Sequence, residues 1–311
     1  MIISPVVVSI KILFQELCEK RVGWDEELKE GERKRWIGWL DDLRSAKEVT
    51  VPRCVYCMPQ SEVNCFLHGI TDASMKAYCA VVYFMCEAFG AVDVTLFTSK
   101  TRVALFKKLT IPRLELMSGR VLARLVDTVK NPLSEQVHIT GTRQWLDSKT
   151  ALWWINNKGE CKQFVRQRVN KILRLTQKED CAYCPGEQNA ADVGSRGECA
   201  SRLKENELWW RGPFWLSGPR NGWPILQVIE TPESTEEKRK VVVTVANINT
   251  KDKMSNLIDI CKFSRLGKLL RVTSLVKRFL FNLQADKNGT ERRVGELQRS
   301  EMADAEQERV D

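Results

Sequence analysis

The sequence predicts an α/β fold: a mixed five-stranded sheet with helices on its faces, plus helical flanking segments. Two observations carry that prediction. Runs rich in Val, Phe, Tyr, Thr and Cys alternate with amphipathic helical stretches in the order βββαβα(α)βα, an order that places helices on a central sheet. Four acidic residues, Asp72, Glu115, Asp147 and Asp192, each fall at the edge of one of these elements.

Residues 1–50 read as an extended start followed by a polar helix, in which Trp36, Leu40 and Leu43 recur at helical spacing. From about residue 62, NCFLHGIT, AYCAVVYFMC and AVDVTLFTSK predict three short strands in an antiparallel meander. LTIPRLELMSGRVLARLVDTVK predicts a helix with Pro112 in its first turn and an apolar stripe of Leu114, Met117, Val121 and Leu125. HITGTRQWLD gives a fourth strand, and SKTALWWINN a short helix capped by Ser148. QFVRQRVNKILRLTQ is a basic amphipathic helix with Phe164, Val165, Val169, Ile172 and Leu173 inward. CAYC is a short fifth strand, and a last helix starts at NAADV after the PGEQN turn.

Beyond residue 200, ELWWRGPFWLSGPRNGWP predicts a segment lying across the domain surface, anchored through Trp209, Trp210 and Trp215. TPESTEEKRK has linker composition. Residues 256–283 predict an amphipathic helix with Leu269, Val272, Val276, Phe279 and Leu283 on one face. The charged tail from Asp286 is either a helix needing a partner or disordered.

The chain has 311 residues, 43% hydrophobic and 29% charged, an ordinary globular balance. A formal charge of +9 makes a polyanionic partner plausible. The opening MIISPVVVSIKILF lacks the basic start and cleavage site of a signal peptide, and no apolar run approaches the roughly 20 residues of a membrane span. The expectation is an intracellular protein, cytoplasmic or nuclear, with reduced thiols and no membrane partner. Two CxxC pairs, Cys54/Cys57 and Cys181/Cys184, suit either a zinc ribbon or small apolar positions. His68 and His138 are read as structural, since neither sits beside a nucleophile.

Asp72 in HGITDAS and Asp147 in QWLDSKT end strand-like runs, Glu115 in IPRLELM follows the helix-opening Pro, and Asp192 in NAADVGSRG enters the last helix. Carboxylates at strand ends and helix starts can converge at one sheet edge. Such oxygen clusters suit hard divalent cations, and paired cations suit phosphodiester chemistry.

The element order and this acidic series resemble the ribonuclease H fold. FLHGITDASMKAYCAVVYF, KKLTIPRLELMSGRVLARLV, WLDSKTALWWI, PGEQNAADVGSRG and LWWRGPFWL resemble the ribonuclease H region of BEL/Pao retrotransposon polyproteins, also called the Pao retrotransposon peptidase family. That resemblance implies hydrolysis of the RNA strand of RNA–DNA hybrids, with Asp72, Glu115, Asp147 and Asp192 holding two Mg2+ ions, or Mn2+ in their place. It implies a connecting segment after reverse transcriptase over 1–60, a ribonuclease H-like domain over 61–200 and a Trp/Gly/Pro-rich surface segment over 201–230. Residues 231–311 would be a linker and amphipathic helix leading toward an integrase. Without a YxDD-type palm motif or an HHCC zinc module, the chain is expected to be a segment of a larger polyprotein, with its reverse transcriptase and integrase segments as partners, or a decayed or co-opted copy. Many relatives carry His and an apolar residue where Tyr183 and Cys184 stand, and Pro where Ala190 stands.

Lys162, Arg166, Arg168, Lys171 and Arg174 on the basic helix offer a phosphate track for the hybrid, and a solvated charged face is the alternative. Ser74 and Asn189 are candidates for touching a 2′-hydroxyl or a phosphate. Two other functions stay open. An aspartic peptidase needs two D-[ST]-G turns, and Asp147 is followed by Ser148-Lys149 instead. A non-catalytic remnant would bind nucleic acid or a polyprotein neighbour.

Overall fold

The computed structural model describes residues 2–51, 63–104, 109–157, 161–238, 258 and 263–310. The chain divides into two compact units, Met1–Lys240 and Val241–Asp311. In the first, β1 (Asn64–Ala73), β2 (Ala77–Ala88), β3 (Ala91–Val103), β4 (Ile139–Leu146) and β5 (Cys181–Tyr183) form one sheet in the order β3-β2-β1-β4-β5. The β1–β2 and β2–β3 pairs are antiparallel, as the meander predicts, while β4 lies parallel to β1 and β5 parallel to β4. The result is the expected mixed sheet with helices on both faces. The first three strands span 10, 12 and 13 residues, so they are long and not short.

β1 and β2 are buried almost throughout because both of their faces are covered. On one face lies α3 (Ile111–Leu133), which packs Leu122, Val126 and Val129 against Leu67, Ala80, Val82 and Phe84. Gly69 allows this approach: a Cβ there would stand 2.6 Å from Leu122 Cδ1. The predicted stripe of Leu114, Met117, Val121 and Leu125 is displaced accordingly. Leu114 is buried, but the other three lie half-buried on the flank, since the sheet takes the Leu122–Val126 face. α4 (Lys149–Asn156) and α5 (Gln163–Ile172) complete this side with Trp153, Trp154, Val165, Val169 and Ile172. Ser148 caps α4 as expected, accepting from Ala151 N at 3.1 Å.

The opposite face corrects the reading of residues 1–50. The expected extended start is a helix, α1 (Ser4–Glu19), with Pro5 in its first turn and Val6, Val8, Ile12 and Leu13 buried. Its β-branched residues favour strands intrinsically, and burial of one helical face overrides that preference. α2 (Glu30–Ser45) turns Trp39 and Leu43 inward, and Trp39 Nε1 donates to Val6 O at 2.9 Å. Trp36 and Leu40, expected inside, are 39% and 38% exposed.

α6 (Ala190–Arg196), α7 (Ala200–Lys204) and α8 (Glu207–Arg211) follow β5. The Trp-rich segment runs across the surface and is anchored as expected through Trp209 and Trp215, with Trp223 in addition, all three buried against Phe66, Tyr83 and Trp145, while Trp210 is half-buried and Phe214 is exposed. His68 is structural, as expected, its Nδ1 accepting from Trp145 Nε1 at 3.1 Å. α9 (Pro232–Glu236) closes the first unit, where Glu237 pairs with Arg113. The CxxC pair Cys54/Cys57 lies outside the described residues, whereas Cys181 and Cys184 carry free thiols.

In the second unit α10 (Leu266–Asn288) packs against α11 (Arg299–Val310) through the Arg278–Glu301 ion pair and the Ser274 hydroxyl. Most of the predicted stretch 256–265 lies outside the described residues or ahead of this helix. Its buried side is Leu269, Leu270, Thr273 and Ser274. Phe279 and Leu283, expected on the inward face, are exposed, because α11 meets the Thr273–Ser274 side. Among the described residues no helix is long and apolar enough to cross a membrane.

Candidate active site

Strand register brings the first two carboxylates together. Thr71 of β1 stands opposite Leu146 of the parallel neighbour β4, so the next residue on each strand, Asp72 and Asp147, emerges side by side at one sheet edge. The two carboxyl groups lie close enough for the protonation of each to shift that of the other. Glu115, four residues into α3, lies close enough for Asp72 and Asp147 to feel its charge, and Ser148 hydrogen-bonds it. Asp192 is the third residue of α6, and its charge reaches Asp72.

The side chains around them set the geometry. Asp72 is buried, and Ser195 Oγ, one turn beyond Asp192 on α6, donates to its Oδ2. Asn189 Nδ2 donates to Thr71 O at 3.0 Å, its Oδ1 accepts from Ala191 N at 3.0 Å, and the side chain also hydrogen-bonds Asp147. This one residue pins α6 to the end of β1. Asp192 Oδ1 takes Arg196 Nε at 2.5 Å.

Charge is concentrated here against the preference of a protein interior. Burial pushes the Asp147 carboxyl up to about 8, helped by the charges of Asp72 and Glu115 and opposed by the Asn189 hydrogen bond. Burial also raises Asp72, with the Asp192 charge adding to it and the Ser195 and Asp147 hydrogen bonds opposing. Glu115 is raised by burial and by the Asp72 charge. Cys184, fully buried beside the pair, is held as a thiol by burial and by the charges of Asp147 and Asp72.

The structure thus gathers all four sequence-predicted acids around Asp72. As the side chains stand, however, no three His, Cys, Asp or Glu groups among the described residues enclose a single metal position. Ser195 holds Asp72 against α6, and Arg196 holds the Asp192 carboxylate along that same helix. The donor set itself consists of carboxylate oxygens in excess negative charge, the chemistry that suits Mg2+ or Mn2+.

The two predicted contact residues both have partners within the fold. Asn189 is 1% exposed, and its amide bonds Thr71 O and Ala191 N, so it positions the end of β1. The Ser74 hydroxyl is engaged in the β1–β2 turn by Ala77 O, Ser195 O and Lys76 N. On α5 and at its two ends, Lys162, Arg166, Lys171 and Arg174 are exposed, whereas Arg168 is half-buried, stacked 3.4 Å over the Phe164 ring with its Nε 2.9 Å from Met117 Sδ. Sequence reasoning missed Ser195 and Cys184 as neighbours of the carboxylates. GSRG and the CxxC spacing carry no signal that would reveal them.

Residues 1–148 match the family model described as the Pao retrotransposon-like RNaseH-like domain. Over those residues the chain resembles that BEL/Pao RNase H-like family. No curated protein matches. Among solved structures, the N-terminal RNase H domain of Rv2228c from Mycobacterium tuberculosis is similar at 12% identity and a TM-score of 0.30, over 43% of this chain and 94% of that one. RNase H1 from the archaeon Halobacterium salinarum is similar at 9% identity and a TM-score of 0.28, over 41% of this chain and 90% of that one.

Proposed function

We propose that this domain hydrolyses the RNA strand of RNA–DNA hybrids with divalent-cation assistance. The observation that carries the proposal is the convergence of Asp72, Glu115 and Asp147 from β1, α3 and β4, with Asp192 beside them on α6. Burial and mutual repulsion of these acids are relieved most simply by cations. Mg2+ or Mn2+ held by the four carboxylates would supply a water acidic enough to ionise near neutrality and charge compensation for the departing 3′ oxygen.

The chain's own residues do the rest. Ser195 and Asn189 brace Asp72 and Asp147, and Ser148 braces Glu115. Lys162, Arg166, Lys171 and Arg174 give the exposed face of α5 the charge to hold a phosphate backbone. Arg168, tied to Phe164 and Met117, stiffens that face.

The closeness of Asp72 and Asp147 alone would also suit the proton-sharing pair of an aspartic peptidase. Glu115 and Asp192 have no part in such a dyad, and Lys149 replaces the glycine of its turn. The test uses a hybrid labelled on the RNA strand, incubated with Mg2+ or with EDTA, beside Asp72→Asn. RNA cutting that requires Mg2+ and is lost in the variant supports the proposal. Peptide hydrolysis blocked by pepstatin and indifferent to EDTA would replace it with the peptidase reading.

A further inference from the structure

His68 of β1 stands directly beside Arg143 of the parallel strand β4, and Phe66 and Trp145 flank them on the same sheet face, the one opposite α3. Trp223 packs edge-on against His68, with ring centres 5.1 Å apart, and against Trp145 at 5.6 Å. The Arg143 guanidinium lies 5.4 Å from the Trp145 ring centre and 5.6 Å from that of Trp223. Arg220, 4.4 Å from the Phe66 ring centre, forms the exposed rim.

Five buried side-chain polar atoms among the described residues lack a hydrogen-bond partner, and three of them belong to this cluster: His68 Nε2, Arg143 Nε and Trp223 Nε1. Other buried indoles are satisfied, since Trp145, Trp154, Trp209 and Trp215 each donate to an acceptor within the fold. All three orphaned atoms are donors. Guanidinium and indole nitrogens can only donate. His68 accepts from Trp145 at Nδ1, so its neutral ring carries the proton on Nε2. Burial and the Arg143 and Arg220 charges keep that ring neutral, pushing its pKa down to about 3.

Buried donors call for an acceptor, because folding strips them of the water they bonded in the unfolded chain. A water molecule has only two lone pairs for three donors and brings further donors of its own. Charge narrows the choice. Arg220 is balanced by Glu87 at 3.3 Å, whereas among the described residues Arg143 has no acid within ion-pair distance. One positive charge is left to balance. A monoanion balances it, while a dianion would leave excess charge in a buried place and cost far more to desolvate.

We propose that His68, Arg143 and Trp223 bind a small inorganic monoanion, with chloride as the type, between β1, β4 and the Trp-rich segment. One atom that accepts from all three donors ties the Trp223 anchor to both strands with charge-assisted hydrogen bonds. The site lies four residues before Asp72 on β1 and four before Asp147 on β4, about 13 Å along the strands. It is separate from the carboxylates and stands whether or not the domain cuts RNA.

The test uses the full chain, isotope-labelled for NMR and exchanged into sodium gluconate, an anion too bulky for a buried site. Chloride then replaces gluconate at constant ionic strength. The Trp223 Nε1–H and His68 Nε2–H resonances are expected to change saturably with one shared Kd, while the indole resonances of Trp154 and Trp209 stay fixed. Trp223→Phe assigns its resonance and removes one donor. Arg143→Gln, followed at Trp223, and Trp223→Phe, followed at His68, should each weaken chloride binding about tenfold or more. The unchanged resonances of the other indoles report that each variant is folded. No chloride-dependent change in the wild type would mean that water serves these donors, and would overturn the site. Wild-type affinity in both folded variants would overturn it as well. Sulfate binding there more tightly than chloride would overturn the assignment to a monoanion.

Discussion

Replacing Asp147 by Asn should make the metal-free protein more stable, although it removes a residue of the proposed catalytic site. The substitution keeps the shape of the side chain and removes only the charge. That charge sits half-buried against Asp72 and Glu115, with its carboxyl pushed up to about 8 from 3.8. A rise of about 4 units corresponds to about 6 kcal/mol at most, at about 1.4 kcal/mol per unit. Because Asp72 titrates with it and solvent reaches the site edge, a gain of about 2–3 kcal/mol at pH 8 is the expected scale. The sign follows from the direction of the shift. A folded-state value above the unfolded one gives stability that is complete below about pH 4 and lost as pH rises through 8. Wild type in EDTA should therefore unfold at lower urea at pH 8 than at pH 5, and Asp147→Asn should flatten that difference. Adding Mg2+ should stabilise the wild type more than the variant. Equilibrium urea unfolding at both pH values measures all of this. A variant less stable than wild type at pH 8 in EDTA, with an unchanged pH dependence, would refute the idea that repulsion dominates the site.

Other outcomes follow from the packing. Gly194→Ala would drive a Cβ into Cys79 Sγ with Trp209 3.3 Å away, and should cost about 1–3 kcal/mol in urea unfolding. Leu122→Ala should cost about 2–5 kcal/mol, since Leu122 is fully buried in the α3–sheet seam. His68, pushed down to about 3 by burial and by the nearby Arg143 and Arg220 charges, should keep a constant NMR ring shift from pH 8 to pH 5. The unfolded chain takes that proton first, so His68 should lower stability as pH falls below about 6.5. Ser195→Ala should raise the Asp72 carboxyl further, because its hydrogen bond opposes the burial effect, and a carboxyl NMR titration would show it.

The meander, the crossover to β4 and the short β5 were legible because each is a β-rich run bounded by turn residues, and register then carries Asp72 and Asp147 to the same edge. Glu115 and Asp192 were legible as acids at helix starts within matched motifs. What failed did so for two physical reasons. Val6, Val8 and Ile12 have strand preferences, and only the neighbours that bury them make α1 a helix. Trp36, Leu40, Phe279 and Leu283 fit a helical period, yet period alone does not say which of several apolar residues faces inward when a helix has more of them than its partner can cover. Ser195 meets Asp72 across 123 residues, and Asn189 spends its amide on β1 and its own helix cap. Such long-range partners leave no mark in local sequence.

The central claim is that these four carboxylates are gathered to hold divalent cations. A Mn2+ titration followed by EPR, on wild type and Asp147→Asn at pH 8, tests it most directly. The account predicts saturable binding that approaches two ions in the wild type and is weakened or lost in the variant. Identical weak binding by both proteins, with folding intact, would contradict it.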